Sequence, residues 1–310
     1  MKQILILLIL STLTISCSKD KSENLETQES LKVYAYNNSS KKIVELDVDD
    51  GSEIRIIADL MFDDVNIDFT NATYSINTNE IIGTIIVPTP PPATSDFDFY
   101  FVRVNVISGE VYLNLINFKT YNGFTLTNEG KLYSYIYRIN ERKIVELDPN
   151  NGAEIRIIAD LEVLNENNLA ILGYSETTNE LIGMQGLNDH PIYSQWFTRV
   201  SVSDGTFTRN TMEYRYNYPV ISNNDELYAS RNYTNEIVEL DPINGSEIRI
   251  IANLDSSIFD MIDYSDTTNE IIGFLRYSGK KNFAKLNVNS GQFTEIVMDG
   301  WDYDFILLDQ

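Results

Sequence analysis

Two segments of this chain each occur three times, and this repetition constrains the fold more than any other feature. The first segment, of the form IVELD…EIRIIA, begins at Ile43, Ile144 and Ile237. The second segment, of the form YS…TNE, begins at Tyr74, Tyr174 and Tyr264. Because the two kinds of segment alternate along the chain, the sequence consists of repeated pairs of units, each of about 46 residues.

Each unit has the pattern of a small antiparallel sheet. Runs of alternating or β-branched apolar residues are separated by turn residues, and no long 3.6-residue periodicity occurs. Residues 123 to 161 illustrate four short strands, A to D, in the segments GFTLTNEG, KLYSYIY, RKIVELD and AEIRIIADL. Asn150, Asn151 and Gly152 supply the turn of the C–D hairpin. Four-stranded units of this length are typical of propeller blades.

The count of units predicts an all-β fold, a six-bladed β-propeller made of three two-blade repeats. The units span residues 31–60, 65–117, 120–161, 167–213, 217–254 and 257–298. The first unit lacks an A strand, whereas the chain ends with WDYDFILLDQ, an A-like strand with no B strand after it. Since a closed ring leaves no open inner edge, we predict that a C-terminal strand, about Asp302 to Leu308, completes the first blade.

The copied residues fall on the outer strands C and D, which favours a structural role. An acid six residues before each turn glycine is followed ten residues later by an arginine, in the pairs Glu45 and Arg55, Glu146 and Arg156, and Glu239 and Arg249. Lys285 and Glu295 have the same spacing with the charges reversed. We predict that all four pairs face each other across their hairpins, each contributing about 0.2–1 kcal/mol.

The N-terminus has the features of an export signal. Residues 1–16 contain one lysine and an apolar run that is short for a membrane span, and the run ends at Cys17, the only cysteine. This arrangement resembles the lipobox of bacterial lipoproteins, which implies removal of residues 1–16 and lipidation of Cys17. Ser18 after the cysteine resembles outer-membrane sorting, so we expect a lipid-anchored protein of the cell envelope, with its periplasmic or surface orientation left open.

Residues 17–30 are polar and low in apolar content, so we predict a flexible tether before a domain of residues 31–310. A single cysteine excludes an internal disulfide. The formal net charge of −23 makes nucleic acid an unfavourable partner, because two polyanions repel. Acidic residues also keep an exported domain soluble, and this explanation of the acidic composition requires no ligand.

Candidate ligand-binding residues gather on one predicted side of the ring. Strand order places the D-to-A and B-to-C connections on one side, called here the D–A face, and the A-to-B and C-to-D connections on the other, the A–B face. Aromatic and polar side chains on the D–A face predict binding of a glycan or peptide by stacking and hydrogen bonds. The candidates are Trp301, Trp196, Tyr214, Tyr216, Tyr121, Tyr303, Arg215 and His190. Each could instead pack as an ordinary structural residue.

Strands that close on LDP-x-x-G make the chain similar to YVTN-type and quinoprotein amine dehydrogenase β-chain-like propellers. That resemblance implies the propeller fold, and some relatives bind metals or hydrolyse esters through Glu, Asn and Asp around the channel. No matching set of residues can be transferred to this chain, so we predict no catalytic residue, no resident cofactor and no metal motif. A divalent cation in the channel is left open, and His190 as a general base has no identifiable partner.

Three hypotheses of function follow from these features. The first and favoured one is a membrane-anchored binding module for a glycan, peptide or partner protein, because the D–A face is rich in aromatic residues. The alternative is a metal-dependent hydrolase or lactonase-like enzyme with its site at the channel mouth. The third is a structural subunit of an envelope complex.

Overall fold

The computed structural model describes residues 31–60, 68–88, 97–116, 121–138, 141–161, 169–186, 195–255, 257–278, 280–296 and 303–309. Predictions for Cys17, the signal peptide, the tether, His190 and Trp301 lie outside the described residues. Among the residues that the structure describes, no helix has the length and apolar composition needed to cross a membrane.

The described residues form six four-stranded antiparallel sheets in a ring, which confirms the predicted six-bladed β-propeller. The blades are numbered 1 to 6 in the chain order of the six predicted units. In the blades with odd numbers the strands are β1 Lys32–Asn37, β2 Lys42–Leu46, β3 Glu53–Asp59, β8 Tyr121–Leu126, β9 Leu132–Arg138, β10 Glu141–Leu147, β11 Glu154–Asp160, β16 Tyr216–Ile221, β17 Leu227–Arg231, β18 Glu236–Leu240, β19 Glu247–Asn253 and β24 Tyr303–Asp309. In the blades with even numbers they are β4 Asp68–Ser75, β5 Glu80–Pro88, β6 Phe97–Asn105, β7 Val111–Leu115, β12 Leu169–Ser175, β13 Glu180–Gly186, β14 Gln195–Ser201, β15 Phe207–Thr211, β20 Ile258–Ser265, β21 Glu270–Tyr277, β22 Lys280–Asn287 and β23 Phe293–Ile296.

Blade 1 is closed by the end of the chain, as predicted. Its sheet has the order β24-β1-β2-β3, and β24 pairs with β1 in a register that sets Val33 opposite Leu308. The innermost strands of successive blades contact one another from β4 through β8, β12, β16 and β20 to β24, and β24 contacts β4. The ring is therefore closed by noncovalent pairing alone.

Apolar side chains pack between blades rather than within one central core. In the described part of the chain, each pair of neighbouring blades shares an apolar cluster. The cluster between blades 1 and 2, for example, joins Tyr34 and Ile43 to Phe69, Ile81 and Val102. Alternate residues of a strand point to opposite faces of its sheet, so both faces of a blade are buried and its middle strands are almost continuously apolar.

Three of the four predicted cross-hairpin ion pairs form. Glu45 lies opposite Arg55, and Arg55 Nε is 2.7 Å from Glu45 Oε2. Glu146 with Arg156 and Glu239 with Arg249 repeat the arrangement at 2.7 and 2.6 Å. In each of these hairpins a bulge follows the glutamate, and the extra residue brings the arginine into register.

The prediction for Lys285 and Glu295 is wrong. The hairpin of β22 and β23 has no bulge, so Glu295 lies opposite Ala284 and Lys285 lies opposite Thr294. Lys285 Nζ instead approaches Asp49 of blade 1 at 3.4 Å, and Glu295 accepts a hydrogen bond of 2.7 Å from the Tyr277 hydroxyl. Equal spacing in sequence therefore gives equal pairing only where the bulge is also present.

Candidate functional site

Every innermost strand is interrupted by a bulge, and the bulge of β16 shapes the D–A face. The register of β16 against β17 shifts between Asn217 and Val220, and Tyr218 takes a left-handed backbone conformation with φ of 49°. Because Pro219 follows, this part of the strand cannot donate a regular ladder hydrogen bond. The bulge directs Tyr218 outwards, and 40% of its surface is exposed.

A cavity of about 340 Å³ lies beside this bulge, between blades 4 and 5. Its lining is formed by Ala170, Met184, Gly186, Gln195, Arg215, Tyr216, Asn217, Tyr218 and Pro219. The cavity is at the lower end of the range of about 300–1,000 Å³ that is usual for small-ligand sites. It lies at the start of β16 and the end of β13, which places it on the D–A face.

A reciprocal pair of hydrogen bonds fixes the two walls of the cavity. Gln195 Nε2 donates to the Tyr216 carbonyl oxygen at 3.1 Å, and the Tyr216 N–H donates to Gln195 Oε1 at 2.7 Å. Both residues are buried, so the bonds are shielded from water. Blade 4 therefore holds the first residue of β16 in one position, which makes the adjacent polar groups preorganised for a ligand.

An ion pair between a buried aspartate and an exposed arginine supports the opposite side of Tyr218. Asp260 of blade 6 is 8% exposed and pairs with Arg276, whose Nη2 also donates to the Tyr218 hydroxyl at 3.2 Å. Asp260 Oδ1 is buried and has no hydrogen-bond partner among the described residues. Burial raises the pKa of Tyr218, and the neighbouring Asp260 carboxylate acts in the same direction. The hydroxyl therefore stays protonated and polar at neutral pH.

Some of the predicted candidates come together at this cavity and others do not. Arg215 and Tyr216 line it, and Tyr214 precedes them in the exposed connection between β15 and β16. The guanidinium of Arg231 lies 4.3 Å from the centre of the Tyr214 ring, a cation–π contact on the same blade. Trp196 follows Gln195 in β14, so its side chain points to the opposite face of blade 4, where Arg209 lies 5.2 Å from its ring.

Three candidate tyrosines occupy equivalent positions in the blades with odd numbers, at the start of each innermost strand. Their buried hydroxyls donate hydrogen bonds inside the protein. The Tyr121 hydroxyl donates to the Gly152 carbonyl oxygen at 3.0 Å, Tyr216 to Glu247 Oε1 at 2.7 Å, and Tyr303 to Glu53 Oε1 at 2.5 Å. Burial raises the pKa of Tyr216 and of Tyr303. These hydroxyls hold outer parts of the blades.

Sequence reasoning missed Gln195, Met184, Asp260 and Arg276 as parts of this region. No local signal marks them, because each contributes through a contact with another blade. Among the residues that the structure describes, no group of three or more His, Cys, Asp or Glu side chains could hold a metal ion. The metal-dependent hydrolase stays a hypothesis.

The central channel is lined by an aspartate, Asp263, whose pKa is raised. Asp263 of β20 lines a cavity of about 180 Å³ at the A–B face, together with neutral side chains such as Thr73, Asn77 and Asn223. Its carboxylate accepts the N–H of Tyr264 at 2.9 Å, and the N–H of Leu308 in the closing strand at 3.3 Å. Burial outweighs these bonds and raises the pKa of Asp263 from 3.8 to about 7.

Replacing Asp263 with asparagine should change how stability depends on pH. Because the pKa is higher in the folded protein, this carboxyl lowers stability as the pH rises from about 4 to about 7. The shift corresponds to about 4 kcal/mol, and about 2 kcal/mol remains after allowance for the surface that Asp263 exposes to the channel. We expect the free energy of unfolding of Asp263→Asn, relative to the native protein, to rise by that amount across the window in urea titrations.

Asp204 provides the matched control for this experiment. It lies in an exposed turn, and the Ser201 side chain and Thr206 lower the pKa of its carboxyl by hydrogen bonding. Asp204→Asn should therefore move the pH dependence slightly in the opposite direction. Equal pH dependence in Asp263→Asn and the native protein would contradict the assigned burial of Asp263.

No protein-family model matches this chain, and no curated protein is significantly similar to it. Solved structures do share its fold. A chain of the nidogen/laminin complex superposes with a TM-score of 0.65 at 9% identity, over 90% of this chain and 98% of that one. TolB from Acinetobacter baumannii gives a TM-score of 0.63 at 9% identity, over 90% of this chain and 66% of that one. An oligogalacturonate lyase in complex with manganese gives 0.52 at 8% identity, over 84% and 71%.

These similarities confirm the propeller fold and no more, because fold alone does not determine function. The structures with this fold include a protein in a complex with laminin and a lyase, so both binding proteins and enzymes use it. The resemblance to YVTN-type propellers is confirmed at the level of the fold and stays a prediction at the level of the family.

Proposed function

We propose that the propeller is a binding module that takes up its ligand at the cavity between blades 4 and 5. The observation that carries this proposal is the preorganised wall of Gln195 and Tyr216 beside the exposed side chains of Arg215 and Tyr218. Rigid polar groups next to exposed aromatic rings suit recognition of a ligand rather than chemical conversion.

A glycan has the chemistry that fits this surface best. The ring of Tyr218 is available for stacking on the apolar face of a sugar, and Arg215 and Asn217 offer hydrogen-bond donors to hydroxyl groups. A peptide could use the same groups, with its backbone carbonyls as acceptors. The nidogen/laminin complex supports a partner protein as a further ligand class, because a propeller of similar fold occurs there in a complex with a protein.

We further propose that the module is held at the cell envelope by a lipid on Cys17. The support is the position of this single cysteine at the end of the apolar run, followed by polar residues. A tether of about 14 residues would let the propeller turn freely relative to the membrane. Radiolabelled palmitate incorporation by native protein and by Cys17→Ala tests the anchor separately from ligand binding.

Binding to a glycan and peptide array tests the proposed site. We expect Arg215→Ala to weaken binding of the captured ligand about 10-fold, because a charge-assisted hydrogen bond contributes about 1.5–3 kcal/mol. Tyr218→Phe should weaken it less, because the ring remains for stacking while the hydroxyl is lost. The affinity of each variant for the ligand found on the array is measured by calorimetry.

Tyr233→Ala is the matched control. Tyr233 is 71% exposed, lies in a B-to-C connection on the same face and does not line the cavity. Its substitution should leave affinity unchanged. If Tyr233→Ala and Arg215→Ala reduce binding equally, the cavity is not the site. If both leave it unchanged, the ligand binds elsewhere on the protein.

A further inference from the structure

Two A-to-B loops on the A–B face have the same backbone structure but different side chains. Residues 127–131 of blade 3 and residues 222–226 of blade 5 both close with a bond from their first N–H to their last carbonyl oxygen. Gly130 and Asp225 occupy the same place in these loops, each in the left-handed region, with φ of 80° and 65°. The loops can therefore be compared residue by residue.

In blade 5 the aspartate fills the junction with the preceding blade. Ser175 of blade 4 donates a hydrogen bond from its hydroxyl to Asp225 Oδ2 at 2.9 Å. The backbone N–H of Thr178 also contacts this serine oxygen, at 3.2 Å. The Ser175 hydroxyl thus both donates and accepts a hydrogen bond, and the Asp225 carboxylate lies beside it.

In blade 3 the residue at the place of Asp225 is Gly130, which has no side chain to fill the corresponding space. In the part of the chain that the structure describes, a Cβ placed on Gly130 would meet no atom closer than Asn77 Nδ2, at 3.9 Å. A cavity of about 420 Å³ opens there between blades 2 and 3. Its polar lining residues are Ser75, Asn77, Thr78, Glu80, Asn128, Glu129 and Asn150, and Gly130 lies beside them.

Ser75 is the counterpart of Ser175 and lines this cavity. Its residue surface is only 3% exposed, and Gly130 does not offer it the carboxylate that Asp225 offers Ser175. In the two equivalent positions of the other repeats, Ser175 and Ser265 both accept a backbone N–H at 3.2 Å. A carboxylate bound in the cavity would give the Ser75 hydroxyl the kind of acceptor that Asp225 gives Ser175.

The lining of the cavity contains two carboxylates, Glu80 and Glu129, and each of them is paired with a cation. The loop of blade 5 carries Asp225 and Glu226, whereas the loop of blade 3 carries Glu129 and Lys131, paired with each other at 2.7 Å. Glu80 in the lining is neutralised by two hydrogen bonds from Arg103, at 2.5 and 3.0 Å. One added carboxylate would therefore meet a less acidic surrounding than Asp225 does.

We propose that the cavity between blades 2 and 3 binds a small carboxylate, which takes the position that the Asp225 carboxylate has between blades 4 and 5. The Ser75 hydroxyl donates to one carboxylate oxygen, as Ser175 does to Asp225. The missing side chain of Gly130 leaves room for the rest of the molecule. This site is separate from the cavity on the D–A face and does not depend on the function proposed for that cavity.

Acetate, with acetamide as its neutral analogue, is the probe for this site. In amide NMR spectra at constant ionic strength, acetate should shift the signals of Gly130 and its neighbours in a saturable way, and acetamide should not. Ser75→Ala should weaken acetate binding about 10-fold, because a hydrogen bond to a charged group is lost. Gly130→Asp should abolish acetate binding and raise the melting temperature, since the introduced carboxylate fills the site.

Asp225→Gly provides an independent readout in the other repeat. This substitution should create a second acetate site, seen as new saturable shifts at Ser175, and acetate should recover part of the stability lost. Equal effects of acetate and acetamide, or acetate shifts that survive Gly130→Asp, would overturn the proposal. If Gly130→Asp does not fold, Ser75→Ala and Asp225→Gly still decide the question, and an Asp225→Gly protein without acetate-induced shifts at Ser175 would overturn it as well.

Discussion

Deletion of residues 303–310 is expected to abolish the cooperative unfolding transition of the propeller. The deletion removes β24, which is the innermost strand of blade 1 and contacts the innermost strands of blades 6 and 2. The inner edge of β1 would lose its pairing from Lys32 to Asn37. An open edge of this kind also invites pairing with other chains, so we expect aggregation.

The magnitude follows from what β24 buries. Tyr303 and Leu308 are almost inaccessible and belong to the apolar cluster of blades 1 and 6. Each such side chain contributes about 1.5–3 kcal/mol, and the lost ladder hydrogen bonds add to this. The sum, about 5 kcal/mol or more, is comparable with the whole free energy of unfolding of many domains.

Circular dichroism during heating, together with size-exclusion chromatography, measures this loss. A synthetic peptide of residues 302–310 added to the truncated protein should restore part of the transition, whereas a peptide of scrambled sequence should not. If the truncated protein melts cooperatively within about 2 °C of the full chain, β24 does not close the ring in solution.

Gly205→Ala should destabilise the propeller by about 3–5 kcal/mol. Gly205 closes the C–D turn of blade 4 with φ of 73°, and a Cβ there would overlap the carbonyl oxygen of Ile158 in the outer strand of blade 3. Because the overlapping atom belongs to the backbone, a change of side-chain rotamer cannot relieve the overlap. Gly109 and Gly291 make the same approach to Ile57 and Ile251, so the contact is a repeated part of the joint between an odd blade and the next.

Gly186→Ala is the control, because no atom of the described residues lies within 4 Å of a Cβ placed at Gly186 and its backbone is not left-handed. Its effect on the free energy of unfolding in urea should stay within about 0.5 kcal/mol. Similar values for the two variants would mean that blades 3 and 4 do not meet as closely as described.

The fold could be predicted from sequence to the level of single strands. The alternation of two repeated segments fixed the number of blades, and the unpaired C-terminal strand fixed the closure at Val33 and Leu308. Both signals are local, because strand period and turn residues are encoded within a few positions. The ion pair predicted for Lys285 and Glu295 does not form, because the spacing of residues in sequence does not determine the register of a hairpin by itself. The three hairpins with Glu–Arg pairs contain a bulge that the spacing does not show, and the hairpin of β22 and β23 lacks it.

The candidate site could be predicted only in part. Arg215 and Tyr216 reach the cavity because they begin β16, a position that strand order gives directly. Trp196 is next to Gln195 in sequence but lies on the other side of its sheet. Gln195 itself gave no signal, because its role depends on the backbone of a residue in the next blade. The cavity beside Gly130 could have been noticed by aligning loops 127–131 and 222–226.

The sequence by itself determined that this chain forms a closed ring of six sheets, since covalent spacing and alternating apolarity specify each blade separately. Only the tertiary structure decided which polar groups meet, as between Ser175 and Asp225 or Asp263 and Leu308. Those contacts join residues of different blades, which are 50 and 45 residues apart in the chain. Their geometry depends on how one packed sheet is set against the next, and no short stretch of sequence contains that information.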